Sequence, residues 1–151
     1  GLFIRALCDG LDVFPKIPIE VKNEVLDIFE NKGIEALQEA VKSGSNKFFL
    51  GTDSAPHEKH KKESSCGCAG CYSTWSAIEL YAQIFEEIGA LDKLEAFASL
   101  NGPDFYKLPR NTESITLIRE NWEIPKEITL PNGNPIVPFY AGMNVNWKLK
   151  A

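Results

Sequence analysis

The stretch Phe48-Phe49-Leu50-Gly51-Thr52-Asp53-Ser54-Ala55-Pro56-His57 limits the fold more than any other part of the chain. Neighbouring side chains of a strand point to opposite faces, so a continuous apolar run reads as a strand covered on both sides. Just before it, Ile34, Leu37 and Val41 recur at helical spacing, and Gly44 suits the position after a helix end. The spacing predicts a helix over 34–43 and a strand over 48–50. A helix followed by a buried strand is half of a parallel α/β pattern. In a parallel α/β barrel the functional groups gather where strands end, which marks Asp53 and His57. A carboxylate there can ligate a metal through oxygen and exchange a proton with a metal-bound water. A histidine beside it can offer a ring N–H to an anion. The plainer role for an aspartate after a strand is turn former or helix cap, and for the histidine a surface position.

Residues 52–72 read as one long loop, and loops of that length in compact domains tend to carry function. Lys59 to Lys62 form a basic run expected to be a solvated face. The glycines of Cys66-Gly67-Cys68-Ala69-Gly70-Cys71 let backbone approach a small ligand, and exposed N–H groups favour anions. Ser73 or Thr74 can cap a helix over 74–88 that turns Trp75, Ile78, Tyr81, Phe85 and Ile88 inward and stops at Gly89. A second helix carries Leu91, Leu94 and Phe97 and closes at Asn101-Gly102, with Pro103 opening a further turn. Strands are expected at 114–118, at 136–139 and through Val145, Trp147 and Leu149. Upstream, residues 1–18 read as irregular, and Val21, Val25, Ile28 and Phe29 mark a helix over 20–31.

The chain has 151 residues, the size of one domain, with 44% hydrophobic and 25% charged residues. Its formal net charge of −5 argues against non-specific nucleic-acid binding, which needs a basic face. No apolar run reaches the roughly 18 residues of a membrane helix. Without a secretory signal, Cys8, Cys66, Cys68 and Cys71 read as reduced thiols in a cytoplasmic setting. The sole methionine is Met143 and residue 1 is Gly1, so the chain reads as processed or as part of a longer protein.

GTDSAPH, then HKKESSCGCAGCYS, then AIELYAQIFEEIGALDKLEAFASLNGPDFYKLPRN, with VPFYAGMNVNW in the tail, occur in this order. Together they resemble the C-terminal part of dihydroorotase, in the short monofunctional form of bacteria and plants. The likeness runs from about Ile34 to Ala151 and is densest from Phe48 to Asn111. It implies the C-terminal part of a (β/α)8 amidohydrolase barrel with a short β-rich tail. It also implies two zinc ions and the reversible closure of N-carbamoyl-L-aspartate to dihydroorotate on the way to pyrimidines. On that resemblance Asp53 is a zinc ligand and the general acid/base. His57 and the backbone of Ala69 meet the substrate carboxylate, and Ala55 and Gly70 line the same pocket. The small-molecule substrate is then the main partner, with a homodimer for the complete enzyme, since the family is commonly dimeric.

The departures are equally specific. The family's His-x-His pair, carbamylated lysine and two further histidines are missing, as are its substrate arginine and asparagine. The sequence holds two histidines, His57 and His60, both in one loop. Residues 1–33 do not align with the family. The expected division is an unmatched segment 1–33, a last strand with site loop and helices over 34–111, and a β-rich tail over 112–151. By itself the chain is expected to be inactive, an incomplete part of the enzyme. Two other readings stay open: a small zinc-stabilised binding module built from His57, His60, Cys66, Cys68 and Cys71, and a non-catalytic remnant that docks on a partner. Against the zinc module, C-x-C-x-x-C is not a paired C-x-x-C set. The cysteines also pack readily as small residues in a tight loop.

Overall fold

The computed structural model describes residues 33–65 and 67–150. The expectations for residues 1–18 and 20–31 lie outside the described residues. Helix α1 spans Ile34–Lys42, with Glu35 in its first turn and Lys42 in its last, the signs that complement a helix dipole. It ends as expected at Gly44, whose φ of 67° a side chain would disfavour. α1 buries no residue completely, and Val41 is its contact with the core.

The apolar run 48–50 is not the strand that its composition predicts. It joins no ladder, and Phe48 is 38% exposed. A strand exists through its neighbours, and no described strand lies beside this one. Its polar groups turn to the next helices instead. The Leu50 N–H donates to the Phe97 carbonyl at 3.0 Å, and Asn101 Nδ2 donates to the Phe48 carbonyl at 3.0 Å. Phe49 stacks on Phe105 and Tyr106 at centroid distances of 5.3 and 5.8 Å.

The four-residue helix α2, Lys59–Lys62, interrupts what the sequence suggests is plain loop. A 3-10 turn at Thr74–Ser76 leads into α3, Ala77–Glu87, which buries Ala77, Glu79, Leu80, Ala82 and Phe85. Ile78, Tyr81 and Ile88 are half-buried. Trp75 is a correction, being 46% exposed. It lies in the 3-10 turn, where three residues per turn shift its phase away from the α-helical stripe. Gly89 stops the helix as expected, with φ 69°.

A 3-10 turn, Leu91–Lys93, is followed by a π-helical turn, Ala96–Leu100, that runs straight into α4, Asn101–Tyr106. Asn101-Gly102 therefore does not close a helix. Pro103 lies inside this continuous helical run, just after the π-helical turn, and supplies no N–H to it. Lys107, at φ 55°, ends it.

All four described strands follow residue 116. β1, Leu117–Glu123, pairs antiparallel with β4, Asn144–Leu149, from Leu117 opposite Leu149 to Glu123 opposite Asn144. The register shifts between Arg119 and Trp122. Strand β1 thus begins three residues later than the expected 114–118, while β4 matches the Val145–Leu149 alternation. β2, Ile128–Thr129, and β3, Pro135–Ile136, form a second antiparallel pair. The strand expected over 136–139 is cut short because Pro138 has no N–H for a ladder.

α3 lies between two apolar clusters. One gathers Ala82, Phe85, Ala90 and Leu94 with Phe97 and Trp147 around them, and the other Leu80, Ile124 and Val145 with Trp122 and Phe139. Helices and strands are thus mixed in one α/β arrangement. Among the described residues no helix is long and apolar enough to cross a membrane.

Candidate active site

Asp53 follows the apolar run in a left-handed conformation, φ 45°, and is exposed. Asp and Asn tolerate that region better than most residues. The flanking residues are tied to the far end of the loop. The Ser73 hydroxyl donates to the Thr52 carbonyl at 2.9 Å, and the Thr74 N–H donates to Ser54 Oγ at 3.3 Å. These bonds replace the helix cap expected of Ser73 or Thr74, and Ser73 is 1% exposed.

Ala55 and Gly70 are brought together. The Ala55 N–H donates to the Cys71 carbonyl at 2.8 Å. Gly70 adopts φ 100°, and a Cβ on it would lie 2.5 Å from that of Ala55. Only glycine closes the loop here. His57 is half-buried, with its N–H on the Ala55 carbonyl at 3.0 Å, and Ala69 is exposed. Residues 52–55 and 70–74 therefore lie against each other, with Asp53 exposed within this seam and His57 two residues beyond it.

The basic run is not simply solvated. Lys59 pairs with Glu127 at 2.5 Å, Lys61 with Glu58 at 3.0 Å, and Lys62 donates to the Gly70 carbonyl. Glu58 is the residue that the sequence reading missed. Its carboxylate accepts from Asn132 Nδ2 at 2.7 Å and Asn134 Nδ2 at 3.0 Å. The bond from Asn134 first, then those from Asn132 and Lys61, hold its pKa at about 2. The sequence signal was Asn132-Gly133, a turn dipeptide between Ile128 and Ile136, and Gly133 has φ 84°.

Among the described residues, no three His, Cys, Asp or Glu side chains converge as a metal site. Asp53 is a single oxygen donor, and structural or catalytic zinc takes three or four protein ligands. The described residues thus do not by themselves fit a zinc ion. Cys68 is exposed and Cys71 half-buried, both free thiols, and Cys66 lies outside the described residues.

No family model matches the chain. Curated relatives do. A dihydroorotase of Shewanella halifaxensis is 72% identical over 116 residues, 77% of this chain and 34% of the relative. One of Marinomonas sp. is 74% identical with the same coverage. Among solved structures, a dihydroorotase of Saccharomyces cerevisiae in complex with 5-fluoroorotic acid superposes with a TM-score of 0.69 and 38% identity, covering 77% of this chain and 33% of that one. A dihydroorotase of Campylobacter jejuni gives a TM-score of 0.68 and 31% identity, covering 80% and 35%. Over 77% of its length the chain is thus similar to dihydroorotases, in line with the resemblance of its motifs, and it spans about one third of the length of the curated relatives it matches.

Proposed function

We propose that this chain supplies the substrate-carboxylate end of a dihydroorotase site. The reaction is the zinc-dependent, reversible closure of N-carbamoyl-L-aspartate to dihydroorotate in pyrimidine synthesis. A C–N bond forms, a C–O bond breaks and water leaves. The single observation that carries the reading is identity of 72–74% over 116 residues with curated dihydroorotases.

Within that reading each residue has a chemical task. Asp53 is exposed at the end of the apolar run, so its carboxylate oxygen can take up a proton and return it to the ring nitrogen. In the complete enzyme it would also be one ligand of a zinc ion. Two zinc ions would supply Lewis-acid polarisation of the substrate and an activated water in the complete enzyme. The remaining ligands are not residues of this sequence. His57 gives the substrate carboxylate a charge-assisted contact, and the exposed Ala69 backbone adds an N–H. Ala55 and Gly70 form the wall between them. Residues 34–111 then constitute the last barrel strand, site loop and helices, and residues 112–151 the tail. The 48–50 segment becomes a laddered strand only when a neighbouring barrel strand lies beside it. A cytoplasmic, homodimeric complete enzyme with no nucleic-acid or membrane partner belongs to the same proposal.

The test is a chimera. Residues 34–151 replace the matching third of the Shewanella relative, and dihydroorotate is followed by its ultraviolet absorbance. Zinc-dependent turnover near that of the parent is expected. A folded, zinc-loaded chimera without turnover would overturn the reading.

A further inference from the structure

We propose that residues 127–139 are the positioning platform of the site loop and that they act on His57 through Glu58. Residues 58 and 72, on either side of the loop's crest, are both pinned to this one short segment. Glu58 bridges antiparallel to Ile136, and Tyr72 bridges parallel to Pro138, with the Phe139 N–H on the Tyr72 carbonyl at 2.7 Å. The inner anchors are polar. Asn132 and Asn134 both donate to Oε1 of Glu58, and Lys61 lies 3.0 Å and His60 3.5 Å from its Oε2. Lys59 reaches Glu127 at 2.5 Å.

The loop needs such a support. α2 has four residues and buries none of them, and a single helical turn is not stable on its own propensity. The Glu58 side chain, by contrast, is only 13% exposed. A carboxylate offers about four acceptor positions, and these neighbours face both of its oxygens. A nearly buried charge with that many donors holds its geometry, because losing any partner leaves it undersatisfied. His57 is the adjacent residue. The Ala55 carbonyl fixes its peptide on one side and the Glu58 clamp on the other, so the tail sets where the imidazole stands. The catalytic consequence rests on the proposed role of His57, but the clamp itself does not.

The experiment uses the 151-residue chain and three variants: Glu58→Ala, Glu58→Gln, and Asn132→Ala with Asn134→Ala. Amide hydrogen exchange and the ring carbon–proton NMR signals of His57 are recorded. With two histidines in the chain, those ring signals are separable. Glu58→Ala and the double asparagine variant should speed exchange across 57–72 by about tenfold or more, while α3 and the β1–β4 pair stay unchanged. Both should shift the His57 ring signals, although the asparagine amides bond to Glu58 and not to His57. Glu58→Gln keeps an acceptor for the asparagine amides and should restore most of the protection. Exchange that rises equally in α3 and β1–β4 would reduce Glu58 to general stability and overturn the proposal. So would unchanged His57 signals in the asparagine variant. Since neither readout involves substrate, failure of the dihydroorotase reading would show only in the chimera.

Discussion

Gly70 and Glu58 show how far single residues set the loop. A Cβ at position 70 would sit 2.5 Å from that of Ala55, a contact between two atoms fixed to backbone, at a φ of 100°. Gly70→Ala should therefore lower stability by about 1–3 kcal/mol, read as a fall in the urea midpoint. An unchanged midpoint would mean that the loop opens freely there. Glu58 gives a pH signature. Its folded pKa of about 2 lies below the usual 4.5, so its contribution is complete above about 4.5 and is lost as pH falls from there through 2. The melting-temperature difference between the native chain and Glu58→Gln should shrink across that window. A difference constant from pH 6 to 2 contradicts it. In the chimera, Asp53→Asn keeps the shape but cannot take the proton, so turnover should fall by about 100-fold or more. His57→Ala should mainly raise KM, by an amount equivalent to about 1.5–3 kcal/mol. Equal kcat losses with unchanged KM would contradict that division.

At the level of elements, α3 carries the fold. Phe85 is 2% exposed and packs on Phe97 at 5.1 Å. Phe85→Ala should cost about 3–5 kcal/mol, enough to unfold a small domain, whereas Trp75→Ala should stay within about 0.5 kcal/mol. Thermal melts of the two variants separate them, and similar losses would return Trp75 to the core. This contrast shows what the sequence made legible. Helices with a long apolar stripe and a glycine stop, α1 and α3, were readable because periodicity and capping are local. Trp75 misled because a 3-10 turn changes the phase without changing the composition. Phe48 to Leu50 misled because an apolar run states only that burial is wanted, not that a neighbouring strand is present to pair with it. The motif residues of the loop were visible by resemblance, while Glu58 was not. Its partners lie more than seventy positions away, and no local pattern announces a contact at that separation.

For the molecule as a whole, the exposed apolar side chains point to a surface that wants cover. Phe105, Tyr106 and Leu108 are 65%, 64% and 61% exposed, close together along α4 and the residues after it. The chain should associate as its concentration rises, and Phe105→Ser with Leu108→Ser should reduce that association in sedimentation velocity. Monomers at all concentrations would count against it. Purified alone with zinc, the chain should not interconvert carbamoyl-aspartate and dihydroorotate, and metal-dependent turnover would mean that it holds ligands not recognised among its residues. The two bridges to Ile136 and Pro138 have a further meaning in polymer terms. With its ends held close by a separate segment, the intervening chain is a closed ring whose conformational cost grows only logarithmically with length, about 0.6 kcal/mol per doubling. Insertions at its exposed crest, around Ser64 and Ser65, would leave the anchors where they are, so lineages can vary the length of this crest while the seam beneath it keeps its shape.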